Sequence, residues 1–158
     1  GNILIESRIN QGTVVSIYLP AAEAAAMEEG EQGGFLKGEG SILLVDDNAG
    51  AIKMMKKGLR SCGYQVTAES DGYAAMEMLD KNPQAYDVAI IDYAMPNISG
   101  LEVARYMKQK NPELKILLIS GYLKADMAVS HSELFDDYLL KPVILKDLIE
   151  KIQQIRQK

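Results

Sequence analysis

Residues 41 to 158 read as a doubly wound α/β domain, a five-stranded parallel sheet flanked by five helices, and three features lead there. Short apolar runs alternate with amphipathic stretches along the whole segment. The runs are apolar on both faces, which is the habit of strands covered on both sides by helices. Between them, apolar residues recur at helical spacing, so that each stretch offers one stripe for burial.

The elements follow in order. Ile3 and Ile5 alternate with polar neighbours, and Val15, Ile17 and Leu19 do the same beyond Ser7 to Gly12, a hairpin pattern closed by Pro20. Two strands alone are marginal in water, so residues 1 to 20 are expected to pack on something or to belong to a larger domain. Residues 21 to 40 run through alanines, glutamates and glycines, which bury little against their ordering entropy and predict a flexible linker, with a short helix over Ala21 to Glu29 as an option.

The domain then opens with a strand at Ile42 to Val45 and a helix marked by Ile52, Met55 and Leu59. A second strand at Tyr64 to Ala68 leads to a helix capped by Asp71 and marked by Ala75, Met78 and Leu79, with Pro83 after its end. Val88 to Ile91 form the third strand; Leu101, Ala104 and Met107 mark the third helix, and Pro112 follows it. Strands at Ile116 to Ile119 and Tyr138 to Leu140 come next. The last helix carries the clearest periodicity, Leu145, Leu148, Ile149, Ile152 and Ile155. No internal repeat is evident.

Composition narrows the class of function. The chain has 158 residues, 47% hydrophobic and 25% charged, which excludes wholesale disorder. Its apolar runs fall far short of the roughly 20 residues of a membrane span, so no membrane contact is expected. The single cysteine, Cys62, excludes an intrachain disulfide or a multi-cysteine metal site, and suits a reducing cytoplasm. Net charge is -5, and residues 1 to 40 carry most of the imbalance, six acids against two bases, where the rest holds 16 against 15. No basic stripe is present, which argues against a nucleic-acid partner. No secretory signal is visible either, and the fragment is expected in the cytoplasm.

In open parallel sheets, ligands bind beyond the carboxyl ends of the strands, so the residues after each apolar run carry the information. The first run is followed by Asp46 and Asp47, the third by Asp92, the fourth by Ser120 and the fifth by Lys141 and Pro142. With the strand order 2-1-3-4-5, these four strands are contiguous and their ends converge on one rim. Three neighbouring carboxylates repel unless a cation neutralises them. Oxygen ligands without histidine or thiolate suit a hard ion, Mg²⁺. One carboxylate could then attack phosphorus, with Lys141 and Ser120 meeting the phosphoryl oxygens. The constellation reads as aspartyl phosphorylation.

Taken singly, these residues are ordinary: an acidic pair is commonly a solvated turn, Ser120 a turn hydroxyl and Tyr138 a strand aromatic. Joined at strand ends, the acids and Lys141 make a site. His131 lies in a polar stretch and reads as a surface histidine rather than a phosphohistidine; the methionines read as core filler, Cys62 as a buried small residue, and Lys56 and Lys57 as a solvated helix face.

Leu44-Val45-Asp46-Asp47, Asp92 leading to Met95-Pro96 and Gly100, then Ser120 and Lys141-Pro142, together resemble the receiver domain of two-component response regulators, whose fold is flavodoxin-like, over residues 41 to 158. The resemblance implies that Asp92 is the phosphoacceptor and Asp47 a direct metal ligand. Asp46 would act through water on the metal, and the Ala94 carbonyl would complete the protein ligands. It further implies that Ser120 is the hydroxyl that moves to the phosphoryl group, Lys141 its paired cation, Tyr138 the aromatic switch, and Lys141-Pro142 a cis bond. Ile144 departs from the family by standing where a capping Asp or Ser is common, so the last helix is expected to begin loosely. Ala94 and Tyr122 flank the site and should influence hydrolysis of the acyl phosphate.

Gly1-Asn2-Ile3 through Glu6-Ser7, Gly12-Thr13 and Ile17-Tyr18-Leu19-Pro20 resemble the closing hairpin of a sensor histidine kinase ATPase domain, which implies a hybrid histidine kinase as parent, whether or not that parent is membrane-anchored. The residues that would bind ATP are not in this chain. The expected function is that of a phosphorelay receiver, taking a phosphoryl group from a histidine kinase core or a histidine-phosphotransfer protein, with Mg²⁺ as cofactor. It would promote only its own phosphorylation and dephosphorylation, and signal by protein contact through the fourth helix, fifth strand and fifth helix; a homodimer is left open. Two rivals stand beside this reading. A metal-dependent aspartyl-phosphate phosphohydrolase would want an Asp-x-Asp motif, which Asp46-Asp47-Asn48 lacks. A pseudo-receiver that binds without phosphorylation would not need the intact acidic set.

Overall fold

The computed structural model describes residues 1–9, 11–19, 38–121 and 133–157. The chain divides into two compact units, residues 1–34 and 35–158. In the first, β1 (Asn2–Arg8) pairs antiparallel with β2 (Gly12–Tyr18), and Ile3 lies opposite Ile17 and Ile5 opposite Val15. This register gathers four β-branched side chains on one face of the ribbon. All four are exposed.

The second unit runs β3 (Ser41–Val45), α1 (Ala49–Ser61), β4 (Gln65–Glu69), α2 (Gly72–Lys81), β5 (Val88–Asp92), α3 (Gly100–Lys110), β6 (Lys115–Ser120), β7 (Asp137–Leu140) and α4 (Leu145–Arg156). Its strands form one parallel sheet in the order β4-β3-β5-β6-β7, the order predicted. Four helices lie among the described residues. The fourth of the five expected helices, between β6 and β7, falls on residues 122–132, outside the described residues, as do Tyr122 and His131. Most of the predicted linker, with the optional helix over Ala21 to Glu29, falls on residues 20–37 and also lies outside them.

Alternation along the strands divides the core in two. Ile42, Leu44, Val88, Ile90, Leu117 and Ile119 face α1 and α4, where they meet Met55, Leu59, Leu148, Ile149, Ile152 and Ile155. Leu43, Val45, Ala89, Ile91, Ile116 and Leu118 face α2 and α3, meeting Ala75, Leu79, Val103, Ala104 and Met107. The three central strands are therefore buried on both faces. The edge strands are not: Gln65 is exposed in β4 and Leu140 in β7. The expectation of full two-sided cover holds only for the inner strands, because an edge strand has a neighbour on one side alone.

Local chemistry starts and stops the helices. Asn48 caps α1 by accepting from Ala51 N–H at 3.0 Å, and Asp71 caps α2 by accepting from Tyr73 and Ala74. α3 opens with a reciprocal capping box between Ser99 and Glu102. Ile144 gives α4 no side-chain cap, as expected. Pro83 and Pro112 follow the caps Asn82 and Asn111. Buried Asn111 also donates to the Pro83 carbonyl at 2.9 Å, tying the ends of α2 and α3 together.

Asp136 joins α3 to the sheet just before β7. Its carboxylate accepts from Ile116 N–H at 2.9 Å and Lys108 Nζ at 3.0 Å, with Lys115 at 3.4 Å. Burial alone would raise this carboxyl, but the backbone hydrogen bond and the two ammonium groups outweigh it and hold the pKa below the ordinary aspartate value. A lowered folded pKa gives stability that is complete above the unfolded value and disappears as pH falls through the folded one. Asp136→Asn is expected to cost about 1–3 kcal/mol at neutral pH, and to flatten the acid limb of stability when urea unfolding is measured from neutral pH down to pH 2.

Candidate functional site

The site forms where parallel strands end side by side. Asp46 follows β3 and is 1% exposed; its Oδ1 accepts from Asn48 N–H at 2.8 Å, so the residue that caps α1 also orients the first acid. Asp47, next along the chain, is exposed. Asp92 is the last residue of β5 and is 4% exposed. Lys141 follows β7, with the Lys141-Pro142 bond cis as expected. Its backbone N–H donates to the Ser120 carbonyl at 2.8 Å, fixing it beside the end of β6.

From there the Lys141 ammonium reaches Asp92 Oδ2 at 2.9 Å and Asp46 Oδ2 at 3.3 Å. One oxygen from each of Asp46, Asp47 and Asp92 lies within 4.8 Å of the others. Burial works against the lysine charge, but the Asp92 hydrogen bond and the charges of Asp46 and Asp92 prevail and hold its pKa above the ordinary lysine value. Lys141 therefore stays protonated at neutral pH. Three carboxylates and one ammonium leave two negative charges, which matches a divalent cation with oxygen ligands. Both Asp46 oxygens already have protein partners, whereas exposed Asp47 remains open to an ion and its waters.

Among the predicted residues the structure thus gathers Asp46, Asp47, Asp92 and Lys141. Ser120 is buried at the end of β6 and joined to Lys141 through its carbonyl. Ala94 is exposed, two residues past Asp92. Tyr138 is half-buried in β7 opposite Leu118 and packs with the core on the α2 and α3 side.

Two contributors were less legible. Asn48 as the anchor of Asp46 is signalled only by its cap position ahead of the α1 stripe. Gly100 is named by the motif alone, but its role is steric. Its N–H donates to the Tyr93 carbonyl at 2.9 Å, and a Cβ there would overlap the Asp92 carbonyl oxygen and come within 2.9 Å of Tyr93 Cα. α3 can start against the backbone of the phosphoacceptor candidate because this residue has no side chain.

A parallel five-stranded sheet with this acid and lysine cluster at its carboxyl edge defines a receiver, and comparison agrees. The model of the response regulator receiver domain matches residues 42–153, and the chain belongs to this family. The chain is 27% identical to the sensor kinase CckA of Brucella abortus (strain 2308) over its whole length, which is 18% of that protein. It is 31% identical, with a TM-score of 0.65, to the response regulator TrrA of Thermotoga maritima in complex with Mg²⁺ and BeF, over 73% of this chain and 97% of that one. The receiver domain of the hybrid histidine kinase CckA aligns over 75% of this chain and all of that one, with 28% identity and a TM-score of 0.64. No helix among the described residues is long and apolar enough to cross a membrane.

The charge arrangement has a measurable consequence in metal-free buffer. Lys141→Met leaves Asp46 and Asp92 facing each other without a cation, and should destabilise the domain by about 1–3 kcal/mol. The loss is smaller than for a fully buried pair because the Lys141 side chain is 36% exposed and solvent screens it. Adding Asp92→Asn to Lys141→Met should recover part of the loss, read as a non-additive cycle in urea unfolding with EDTA present.

Proposed function

We propose that Asp92 accepts a phosphoryl group from a phosphohistidine on a histidine kinase core or a histidine-phosphotransfer protein. The observation that carries this is the Lys141 ammonium, 2.9 Å from Asp92 Oδ2, within a group of acids that retains two negative charges. An Asp92 carboxylate oxygen attacks phosphorus. The P–O bond forms as the P–N bond to the imidazole breaks, and the nitrogen leaves with its electron pair. Lys141 stays with the transferred oxygens and offsets their charge, so the residues act by position and electrostatics.

Asp47 and Asp92 would hold Mg²⁺ directly, with Asp46 through water and the Ala94 carbonyl completing the protein ligands, and the ion would neutralise charge that Lys141 alone cannot. The acidic group fits such an ion, and receiver domains bind Mg²⁺ at an acidic pocket. Ser120 would then turn its hydroxyl to the phosphoryl group, and Tyr138 would turn inward on β7, shifting a two-state equilibrium at the face of β7 and α4. We read residues 1 to 20 as the end of a histidine kinase ATPase domain, 21 to 40 as a linker and 41 to 158 as the receiver of a hybrid kinase that works in the cytoplasm. The match to CckA over the full length of this chain supports that reading.

Acetyl phosphate serves as the test donor, with intact mass as readout. Wild-type protein in Mg²⁺ should gain one phosphoryl group, Asp92→Asn none, and wild type in EDTA at most a small fraction. A wild type that gains nothing, or an Asp92→Asn chain that gains as much, overturns the proposal.

A further inference from the structure

The edge of the sheet opposite Asp92 carries an arrangement that phosphotransfer does not use. Residues 38 to 40 enter the domain across the ring of Tyr64. Gly38 N–H donates to the Cys62 carbonyl at 2.7 Å, and the Gly40 carbonyl accepts from Gln65 N–H at 2.9 Å. The Arg156 guanidinium, from the last turn of α4, donates to the Glu39 carbonyl. The approach leaves no room for a side chain at positions 38, 40 and 63. A Cβ on Gly38 would overlap the Tyr64 ring, one on Gly40 would lie 2.5 Å from Asp87 Oδ2 and 3.2 Å from Arg156 Nη2, and one on Gly63 would lie 2.5 Å from the Gly38 carbonyl oxygen.

Beneath this segment Tyr64 is 3% exposed, and its hydroxyl has no hydrogen-bond partner among the described residues. A buried hydroxyl without a partner is unfavourable, and lifting the segment would give it water. The closed arrangement is therefore held by a few bonds against a standing cost. One of those bonds belongs to the helix that begins just past Lys141 and Pro142. α4 runs unbroken from Leu145 to Arg156, with Leu148, Ile149, Ile152 and Ile155 locked in the core. Close-packed helices move as units, so a shift at the uncapped first turn would be carried to Arg156.

We propose that residues 38 to 40 form a releasable strap, closed by Arg156, through which α4 couples the Asp92 edge of the domain to the segment that precedes it. The coupling half rests on Asp92 being the phosphoacceptor; the strap half does not. Coupling of this kind acts in both directions, so loosening the strap must also change the energetics of the phosphorylated state.

Hydrogen exchange at the residue 38 amide, followed by NMR in the full chain, separates the two halves. Arg156→Gln should speed that exchange about tenfold, as expected for loss of one charge-assisted hydrogen bond, and Gly38→Ala should release the strap from the Tyr64 side. Phosphorylation by acetyl phosphate and Mg²⁺, with uptake confirmed by mass, should change the exchange rate at this amide in wild type, and the response should vanish in Arg156→Gln. Arg156→Gln should also alter the lifetime of the acyl phosphate. Unchanged exchange in both variants overturns the strap. Unchanged exchange in a wild type that carries the phosphoryl group overturns the coupling. A wild type that takes up no phosphoryl group overturns the Asp92 reading and the coupling with it, and the strap is then judged on the variants alone.

Discussion

Parallel strands deliver their carboxyl ends to one edge, and here that geometry brings an oxygen from each of Asp46, Asp47 and Asp92 within 4.8 Å of the others. Like charges so placed oppose folding, and the domain tolerates them because Lys141 arrives from β7 and bonds to two of the three. The compensation is incomplete. A site that folds with two uncancelled negative charges is compatible with a divalent cation, which would complete the compensation that Lys141 begins. The clustered acids cost the fold stability, which is the pattern expected where a fold gives up some stability for function.

The rest of the domain keeps those side chains in place. Asp92 ends the most deeply buried strand, with Val88 to Ile91 enclosed on both faces. Behind it, Gly100 lets α3 start against the Asp92 backbone, and the Ser99–Glu102 capping box fixes where that helix begins. In front, the Asn48 N–H holds one oxygen of Asp46 while the Asn48 side chain caps α1. Asp46 and the backbone of Asp92 are thus positioned by the start of the helix that follows each strand. Lys141 differs: it depends on pairing with Ser120 across the sheet, and the helix after it has no cap. The cationic partner therefore sits on a connection without a side-chain cap, and buried Asp46 and Asp92 form the more enclosed side of the site. Buried Ser120, at the end of β6, meets that connection through its carbonyl.

Much of this was legible from residue patterns because burial enforces them. Ile42 to Val45 and Val88 to Ile91 are apolar throughout because helices cover both faces, and the residues that break those runs fall at the edge where ligands bind. The edge strands were harder to judge. Tyr138 to Leu140 is apolar throughout, yet its burial depends on neighbours that a linear pattern does not contain, and in Tyr64 to Ala68 only Gln65 and Thr67 hint at an edge. Contacts across long sequence separations were hidden for the same reason. Asn111 on the Pro83 carbonyl, Asp136 between Lys108 and Ile116, and Arg156 on the Glu39 carbonyl follow from packing, and no periodicity announces them.

The two ends of α4 show how one helix can serve two regions. Its first turn lies next to the lysine of the acidic site, its last turn holds the chain where it enters the domain, and the turns between are fixed by apolar burial on the sheet. In a parallel sheet with flanking helices, a helix must run back from the carboxyl edge to the amino edge to keep successive strands in the same direction. The last helix makes that return and ends beside the start of β3, where Arg156 meets Glu39. Proximity of the incoming chain to the helix that leaves the acidic edge is thus a consequence of topology, while the glycines at 38, 40 and 63 and the arginine at 156 turn that proximity into contact.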